Sequence, residues 1–589
     1  MNIKEKFKVF PLEAMLVDLL SAYALGSSAL LVYLRAATGI RFSALEFSSH
    51  LGFLPAVLVI GGLFVLLTVL RRFFPRERVF RYLLFCAVAL YFSLLCFYGF
   101  NPWFCAFLYI ICAVTAYYCF GRTAEPAPRL RLPVRLFAAA AGGAAFLFIA
   151  LETSMRYANM AGDNYDMGIY AQVFDSIAKT GSTLIKSASP EAYRFDSVPS
   201  LILYPLTLLW MIFHNMYPFL LLQAAALCSG VIPLLLILKK RCAGDGVRLT
   251  AAAVYFLYPG LWNGAFYDFH EQCLLAPFIL WALYFAEKNR IFPFSVFAVL
   301  TAAVGAEGSV IALFFGLFLF FAKKDRAGGV FAFCAGLGTL FLYFATSPRR
   351  LVPNNGVYGG GSFFTFLLKD PGYLLNNLLN GEKLPFTLLM LLSLGCLPFF
   401  TKRRGELILL APALILNLFG TDYDASVSYQ HAFGASVLLL YVFVGAFEGL
   451  GRKKKRFAAA FCVLACLLTF TGQVLPRAHY VGDRVENAAV YRAQREAVAL
   501  IPEGASVTAS PKFVAFLTKC GEIHLYYPAE VNEDGAVLSE CNDMYRSDYS
   551  IFDLSGPEAR LNTIRVSELL LDGFEVVFMD ENAAAVLKR

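Results

Sequence analysis

Gly162-Asp163-Asn164-Tyr165-Asp166-Met167-Gly168-Ile169-Tyr170-Ala171-Gln172 interrupts a chain that is otherwise almost continuously apolar. It sits in a polar interval from about Glu152 to Asp196 and follows a hydrophobic segment, so its carboxylates belong at a membrane surface. After Asp166 the apolar residues Met167, Tyr170, Phe174 and Ile177 recur at helical spacing, with Gln172, Asp175 and Lys179 elsewhere on the wheel. That pattern predicts a helix lying in the membrane interface, which fixes the height of Asp163 and Asp166 relative to the lipid headgroups. Two roles stay open for these carboxylates. Asp163 followed three residues later by Asp166 resembles a helix-entry capping box, although Glu or Gln is the usual third-position partner. A carboxylate held at a bilayer surface also suits a general base.

The composition around this stretch excludes a soluble globular protein. Over 589 residues, 59% are apolar, 16% aromatic and only 16% charged, with a mean hydropathy of +0.63. The net charge of +8 comes in short clusters between apolar runs: Arg71-Arg72, Lys239-Lys240-Arg241, Lys323-Lys324, Lys402-Arg403-Arg404 and Arg452 to Arg456. Such spacing marks cytoplasmic loops and argues against a nucleic-acid partner. Most of the 14 cysteines lie in apolar runs as small hydrophobes. Cys520 and Cys541 fall in the polar C-terminal part and are placed to pair in an oxidising compartment. The first apolar run has no cleavage site behind it and reads as a retained span.

Lys4, Lys6 and Lys8 place the N-terminus inside. Apolar runs near 12–34, 51–70, 82–99, 103–120 and 134–152 each approach the ~20 residues that a bilayer needs, so the loop after Leu151 emerges outside. The run 198–213 is short and broken by Pro205; it reads as a re-entrant or interfacial wall beside that loop. Further runs near 217–238, 249–264, 272–287, 292–304, 307–322, 328–346, 384–400, 406–420, 430–450 and 457–475 bring the expectation to about fifteen spans, with every basic cluster inside. From Pro476 the composition changes. Strand-like Ala505 to Ala509, Glu522 to Tyr526, Ser547 to Leu554 and Phe574 to Met579 alternate with helical segments near 484–500, 513–519 and 558–571, as in a small α/β unit on the outer side. The expected domains are therefore 1–122, a four-span extension; 123–475, a transmembrane core with an outer loop at 152–198; and 476–589, an extracytoplasmic α/β domain.

The other loops on the same side hold the remaining unusual polar groups: Tyr267-Asp268-Phe269-His270-Glu271-Gln272, Glu307 at a hairpin tip, Arg349-Arg350, and Asp422, Asp424, Gln430 and His431. Asp, His and Glu suit a divalent metal such as Mg or Mn, with Asp166, His270 and Glu271 the candidate ligands, and paired Arg suits phosphate. Each also has a structural reading: Asp268 as a solvated capping residue, His431 as a core histidine, Arg349-Arg350 as a membrane anchor.

Five separated motifs together resemble one family. They are Tyr165 to Gln172; Phe269-His270-Glu271; Glu307 in its hairpin; Ile501-Pro502-Glu503-Gly504-Ala505-Ser506-Val507-Thr508-Ala509-Ser510; and Ser547-Asp548-Tyr549-Ser550-Ile551-Phe552-Asp553-Leu554. Their order from about Ala139 to Asp553 resembles the predicted membrane proteins called domain of unknown function 2079. That family looks like a branch of the GT-C superfamily, membrane glycosyltransferases that use polyprenyl-phosphate sugars. The resemblance implies an all-α, GT-C-like polytopic bundle whose first outer loop carries the catalytic Asp. Asp166 matches the family's Asp-x-Gly-x-Tyr-x-Gln pattern, with Asp163 as second candidate. It implies a membrane lipid and a polyprenyl-phosphate sugar as partners, with Gln172, His270, Glu271 and Glu307 of the matching motifs as candidate substrate contacts beside Arg349, Arg350, Gln430 and His431 of the outer loops. The chain departs from the pattern at Glu271, where Pro is commoner after His, and at Ala306-Glu307-Gly308, where Lys-Glu-Asp is commoner. A transporter or lipid flippase, or a non-catalytic envelope protein, is the competing expectation; a transporter would carry its ionisable groups near the bilayer midplane.

Overall fold

Large apolar side chains face outward along the helices, the reverse of a water-soluble protein. The helix Phe53–Phe73 buries only Leu67 and Arg71, while Phe53, Leu54 and Leu58 are 83%, 66% and 65% exposed. Such a surface is stable only against lipid. In this computed structural model the described residues are 12–38, 52–74, 76–122, 133–161, 165–183, 185, 200–346, 372, 380–418, 424–526 and 547–589. Among them ten helices are long and apolar enough to cross a membrane, and Leu203–Phe213, Ile291–Ala302 and Lys383–Leu392 are shorter apolar helices. The chain is thus an all-α polytopic membrane protein with a small C-terminal α/β domain. Several of the apolar runs counted toward the expected fifteen form shorter helices among the described residues. Ile291–Ala302 has 12 residues, about 18 Å at 1.5 Å per residue, against a hydrocarbon core of about 30 Å. The 11-residue helix Leu203–Phe213 is likewise too short to span.

Packing groups the chain into two compact units, each drawn from three separate stretches, whereas the boundaries at 122 and 475 follow composition. One unit comprises Met1–Gly142, Val231–Gly264 and Phe363–Arg477. Its centre is the helix Ala432–Ala446, every residue of which is buried. Tyr258 donates its hydroxyl to the Met390 carbonyl at 2.8 Å beside it. Two ion pairs buried in this unit are matched as an apolar bundle requires: Arg71 with Asp18 at 2.6 Å and Arg241 with Glu406 at 2.5 Å. The helix Pro102–Ala116 is capped by the Asn101 side chain. The Asn101 carbonyl oxygen accepts from the Trp103 and Phe104 amides at 2.9 and 3.1 Å, with Pro102 at the first helical position.

The second unit comprises Gly143–Gly230, Ala265–Ser362 and Ala478–Arg589. The part of Val134–Ala158 from Gly143 on, together with Tyr165–Thr180, Tyr217–Ser229, Leu275–Glu287 and Gly305–Leu317, carries the polar loops. Leu203–Phe213 forms a wall beside the Asp166 helix, with Trp210 stacked on Phe174 at 6.5 Å between ring centroids. The C-terminal part holds a five-stranded sheet in the order β2-β1-β3-β5-β4, where β1 is Ser506–Ala509, β2 Glu522–Leu525, β3 Tyr549–Asp553, β4 Glu575–Asp580 and β5 Ala584–Lys588. β1 runs parallel to β2 and β3; β5 pairs antiparallel with β3 and β4. β5 alternates between two cores, Ala584 and Val586 entering one, Ala585 and Leu587 the other. That period of two is what makes Ala-Ala-Val-Leu a strand. The expected helix after β1 is a short 3₁₀ segment, Pro511–Phe516. Cys541, and with it the expected pairing with Cys520, lies outside the described residues.

Candidate active site

The 3₁₀ loop between Phe266 and Leu275 gathers the polar groups of the second unit. Gln223, 1% exposed, clamps it from the helix Tyr217–Ser229: its amide nitrogen donates to the Ala265 carbonyl and its oxygen accepts the His270 amide, both at 3.1 Å. Within that clamp Asp268 and Glu271 are fully buried and His270 is 4% exposed. Burial on this scale corrects the solvated-loop reading of Asp268. Uncompensated it would be costly, and Asp268 is compensated on both sides. One carboxylate oxygen accepts from Arg156 at 3.0 Å, and the other accepts the Met167 backbone amide at 3.1 Å.

The second of these bonds matters most for placement. Met167 lies in the first turn of the helix Tyr165–Thr180, where backbone N–H groups have no intrahelical partner. Asp268 therefore caps this helix from another part of the chain, with the favourable charge for a helix N-terminus. Arg156 is held in turn by the Tyr480 hydroxyl at 3.2 Å and lies over the Tyr267 ring at 5.8 Å. Burial raises the Asp268 carboxyl above its ordinary range, with Arg156 opposing that rise.

Asp166, in the same first turn, faces His270, with its carboxylate oxygen 3.5 Å from Nε2. His270 Nδ1 lies 3.0 Å from the Asp268 carbonyl, which can only accept, so Nδ1 carries the proton and Nε2 is turned to Asp166. Burial disfavours the imidazolium, but the hydrogen bond and charge of Asp166, aided by the Asp268 carbonyl, outweigh it and raise the His270 pKa. The imidazole is sandwiched against Tyr267, with centroids 5.6 Å apart, and Tyr170 meets it edge-on at 5.3 Å. Tyr170 donates its hydroxyl to Glu271, and burial followed by the Glu271 charge holds its phenol well above the usual range, so it remains a donor.

Of the sequence candidates, Asp166, His270 and Glu271 thus share one cluster. Gln172 is buried on the same helix at 7% exposure. Glu307 occupies the first turn of Gly305–Leu317. Gly305, at φ +55°, brings that tip close enough that a Cβ on it would lie 3.9 Å from the free Glu271 oxygen. Gln430 and His431 belong to the other unit, where the Gln430 amide donates to His431 at 3.2 Å and His431 lies 3.8 Å from Asp424. Asp163, Arg349, Arg350 and Asp422 lie outside the described residues. Arg156, Gln223 and the Tyr170 hydroxyl were not among the candidates, and Asp268 was expected as a solvated capping residue, whereas it caps from a buried position. The signal for Asp268 was its setting, since Tyr267, Phe269 and the nearby Phe266 make that loop too aromatic to be solvated.

The donor types suit a divalent cation, but their arrangement does not. Among the described residues no three His, Cys, Asp or Glu side chains converge as ligands. Both His270 nitrogens are engaged, and one Glu271 oxygen is taken by Tyr170.

Comparison with curated proteins finds no match. Among solved structures the chain is similar to ArnT from Cupriavidus metallidurans bound to undecaprenyl phosphate, with a TM-score of 0.44 and 10% identity over 76% of this chain and 97% of that chain. It is similar also to apo ArnT from the same organism, with a TM-score of 0.42 and 11% identity over 76% and 98%. The family model for the predicted membrane proteins DUF2079 matches residues 156–549, which begins at Arg156 and takes in Asp166, Asp268, His270 and Glu271. Since that match spans well over half of the sequence, the chain belongs to the DUF2079 family of predicted membrane proteins.

Proposed function

We propose that this protein is an integral-membrane glycosyltransferase of GT-C type that moves a sugar from a polyprenyl phosphate to an extracytoplasmic acceptor, with Asp166 as general base. One observation carries the proposal. Asp166 keeps 20% of its side chain exposed, while the His270, Arg156 and Asp268 behind it are 5%, 9% and 0% exposed. Buried charges arranged in order behind one accessible carboxylate are what a positioned base needs. The first-turn amide of Met167 has Asp268 as its acceptor.

In the reaction, the acceptor hydroxyl gives its proton to Asp166 as its oxygen bonds to the anomeric carbon. The bond from that carbon to the phosphate oxygen breaks, and polyprenyl phosphate leaves with the electron pair. His270 steadies the Asp166 carboxylate beforehand. Glu271 and Glu307 contact sugar or acceptor hydroxyls, Gln172 supports the helix, and Arg349 and Arg350 hold the phosphate. His270 keeps Nδ1 on the Asp268 carbonyl and Nε2 toward Asp166. The N-terminus is cytoplasmic and the C-terminal domain extracytoplasmic, the orientation that puts all major basic clusters inside.

The test uses polyprenyl-phosphate hexoses and pentoses with tritium in the sugar, presented to membranes that contain the protein. The expected result is label appearing in a non-lipid or new lipid product above the level in empty membranes. Label that crosses the bilayer still attached to its original lipid would replace this function with that of a flippase.

A further inference from the structure

The Asp166 helix is held from two sides, by Asp268 at Met167 and by the C-terminal domain one residue later. A Cβ placed on Gly168 would lie 2.7 Å from Val514 Cγ1, 3.0 Å from Val514 Cβ and 3.3 Å from the Ala515 amide nitrogen. Real Cβ atoms essentially never come within 3.0 Å of another heavy atom, so at 2.7 Å from Val514 Cγ1 a side chain at 168 would force something to shift, and glycine lets the 3₁₀ segment Pro511–Phe516 seat here. Val514 itself is 2% exposed and belongs to the core that also contains Val507, Ile523 and Val586. It has little freedom to retreat, since interiors are close-packed and transmit strain.

The domain also grips the chain just before the helix. Met160 adopts a left-handed backbone at φ +48°, unusual for a side chain of this size, and inserts at 1% exposure into the same core. Tyr157 stacks on Phe516 with centroids 4.7 Å apart and ring planes 16° apart. Arg495 donates to the Ala158 carbonyl at 2.7 Å, and the Tyr480 amide donates to Glu152 at 2.9 Å. Contacts therefore bracket Asp166 on both sides in sequence, at 157–160 and at 168.

We propose that the C-terminal α/β domain is a positioning element of the active site, setting the Asp166 carboxylate through the Gly168–Val514 contact rather than serving as a separate binding module. The proposal rests on the glycosyltransferase function for its kinetic consequence, while its structural half stands apart from that function. A methyl group at 168 must push the first turn away from Val514 by several tenths of an ångström. The Met167–Asp268 hydrogen bond, one residue away, takes up that displacement, and Asp166 moves with it. Misplacement of a reacting group by about 1 Å can cost about 100-fold in rate.

The experiment uses the full-length protein with Gly168→Ala, Val514→Leu and the double variant Gly168→Ala/Val514→Ala. Hydrogen exchange over 165–175 and label transfer from tritiated polyprenyl-phosphate sugars are the two readouts. Gly168→Ala is expected to speed exchange at Met167 and to lower kcat by about 10- to 100-fold with KM little changed. Val514→Leu, which crowds the same contact from the other partner, is expected to act in the same direction. Removing the Val514 methyls is expected to restore part of the loss. Wild-type exchange and kcat in Gly168→Ala, or a double variant no better than Gly168→Ala, overturns the positioning claim. If Asp166→Asn leaves transfer intact while Gly168→Ala speeds exchange, the general-base assignment fails and the docking contact stands.

Discussion

Asp268→Asn removes one charge from a pair that the protein has sealed away from water. Asp268 is fully buried and the Arg156 side chain is 9% exposed, joined at 3.0 Å. Asn is nearly isosteric and can still accept the Met167 amide, so the helix cap survives in part while the Arg156 charge loses its counter-ion. Removing one partner of a buried pair costs about 3–5 kcal/mol, because the other charge is left uncompensated. Arg156 retains the Tyr480 hydroxyl at 3.2 Å and its ring contacts, which places the expected cost toward the lower end of that range. The double variant Arg156→Met/Asp268→Asn removes both charges and should be less destabilised than the sum of the two single changes, with a coupling of about 1–3 kcal/mol. Thermal unfolding of the detergent-purified protein, followed by exposure of buried thiols, compares the four proteins at one pH and salt concentration. An Asp268→Asn midpoint equal to the wild type, or strictly additive single effects, would refute the claim that this pair anchors the Asp166 helix.

Two further outcomes follow from the same geometry. Burial pushes the Cys520 thiol up to about 11, so at pH 7.5 only about one in a few thousand is thiolate. A maleimide that cannot cross membranes should therefore miss Cys520 yet label a cysteine introduced at Glu522, which is 70% exposed, from outside intact cells; labelling at 522 only after lysis would reverse the proposed orientation. The engaged nitrogens of His270 predict transfer that persists in EDTA, and loss of activity restored by Mg or Mn would instead place a cation among Asp166, His270 and Glu271.

The membrane class, the helix after Asp166 and the nearness of Asp166 to His270 were legible in the sequence, because each rests on local patterning or on a motif. The roles of Asp268 and Arg156 were not. These residues are 112 positions apart, and nothing in the local period of either records that they meet. β5 escaped for a different reason: Ala583 to Leu587 is a short apolar run, equally suited to a helix, until two separate cores claim its alternate residues. Hydropathy registers an apolar run whatever its helix length, so runs such as 292–304 count equally with full-length helices in the sequence although the helix there, Ile291–Ala302, has 12 residues. Gly168 was visible as part of a motif, but its purpose depends on Val514, 346 residues later in the numbering of the chain.

The central claim is that Asp166 takes a proton from the acceptor, and Asp166→Asn tests it most directly, since Asn keeps the size and capping ability of Asp while removing the base. The measurement is the initial rate of tritium transfer from a polyprenyl-phosphate sugar, in membranes matched for the amount of protein. A positioned general base contributes about 100- to 10,000-fold, so the variant should reach the membrane at wild-type levels and transfer at least about 100-fold more slowly. Transfer by Asp166→Asn at the wild-type rate would contradict the account and leave Asp166 a helix-entry residue.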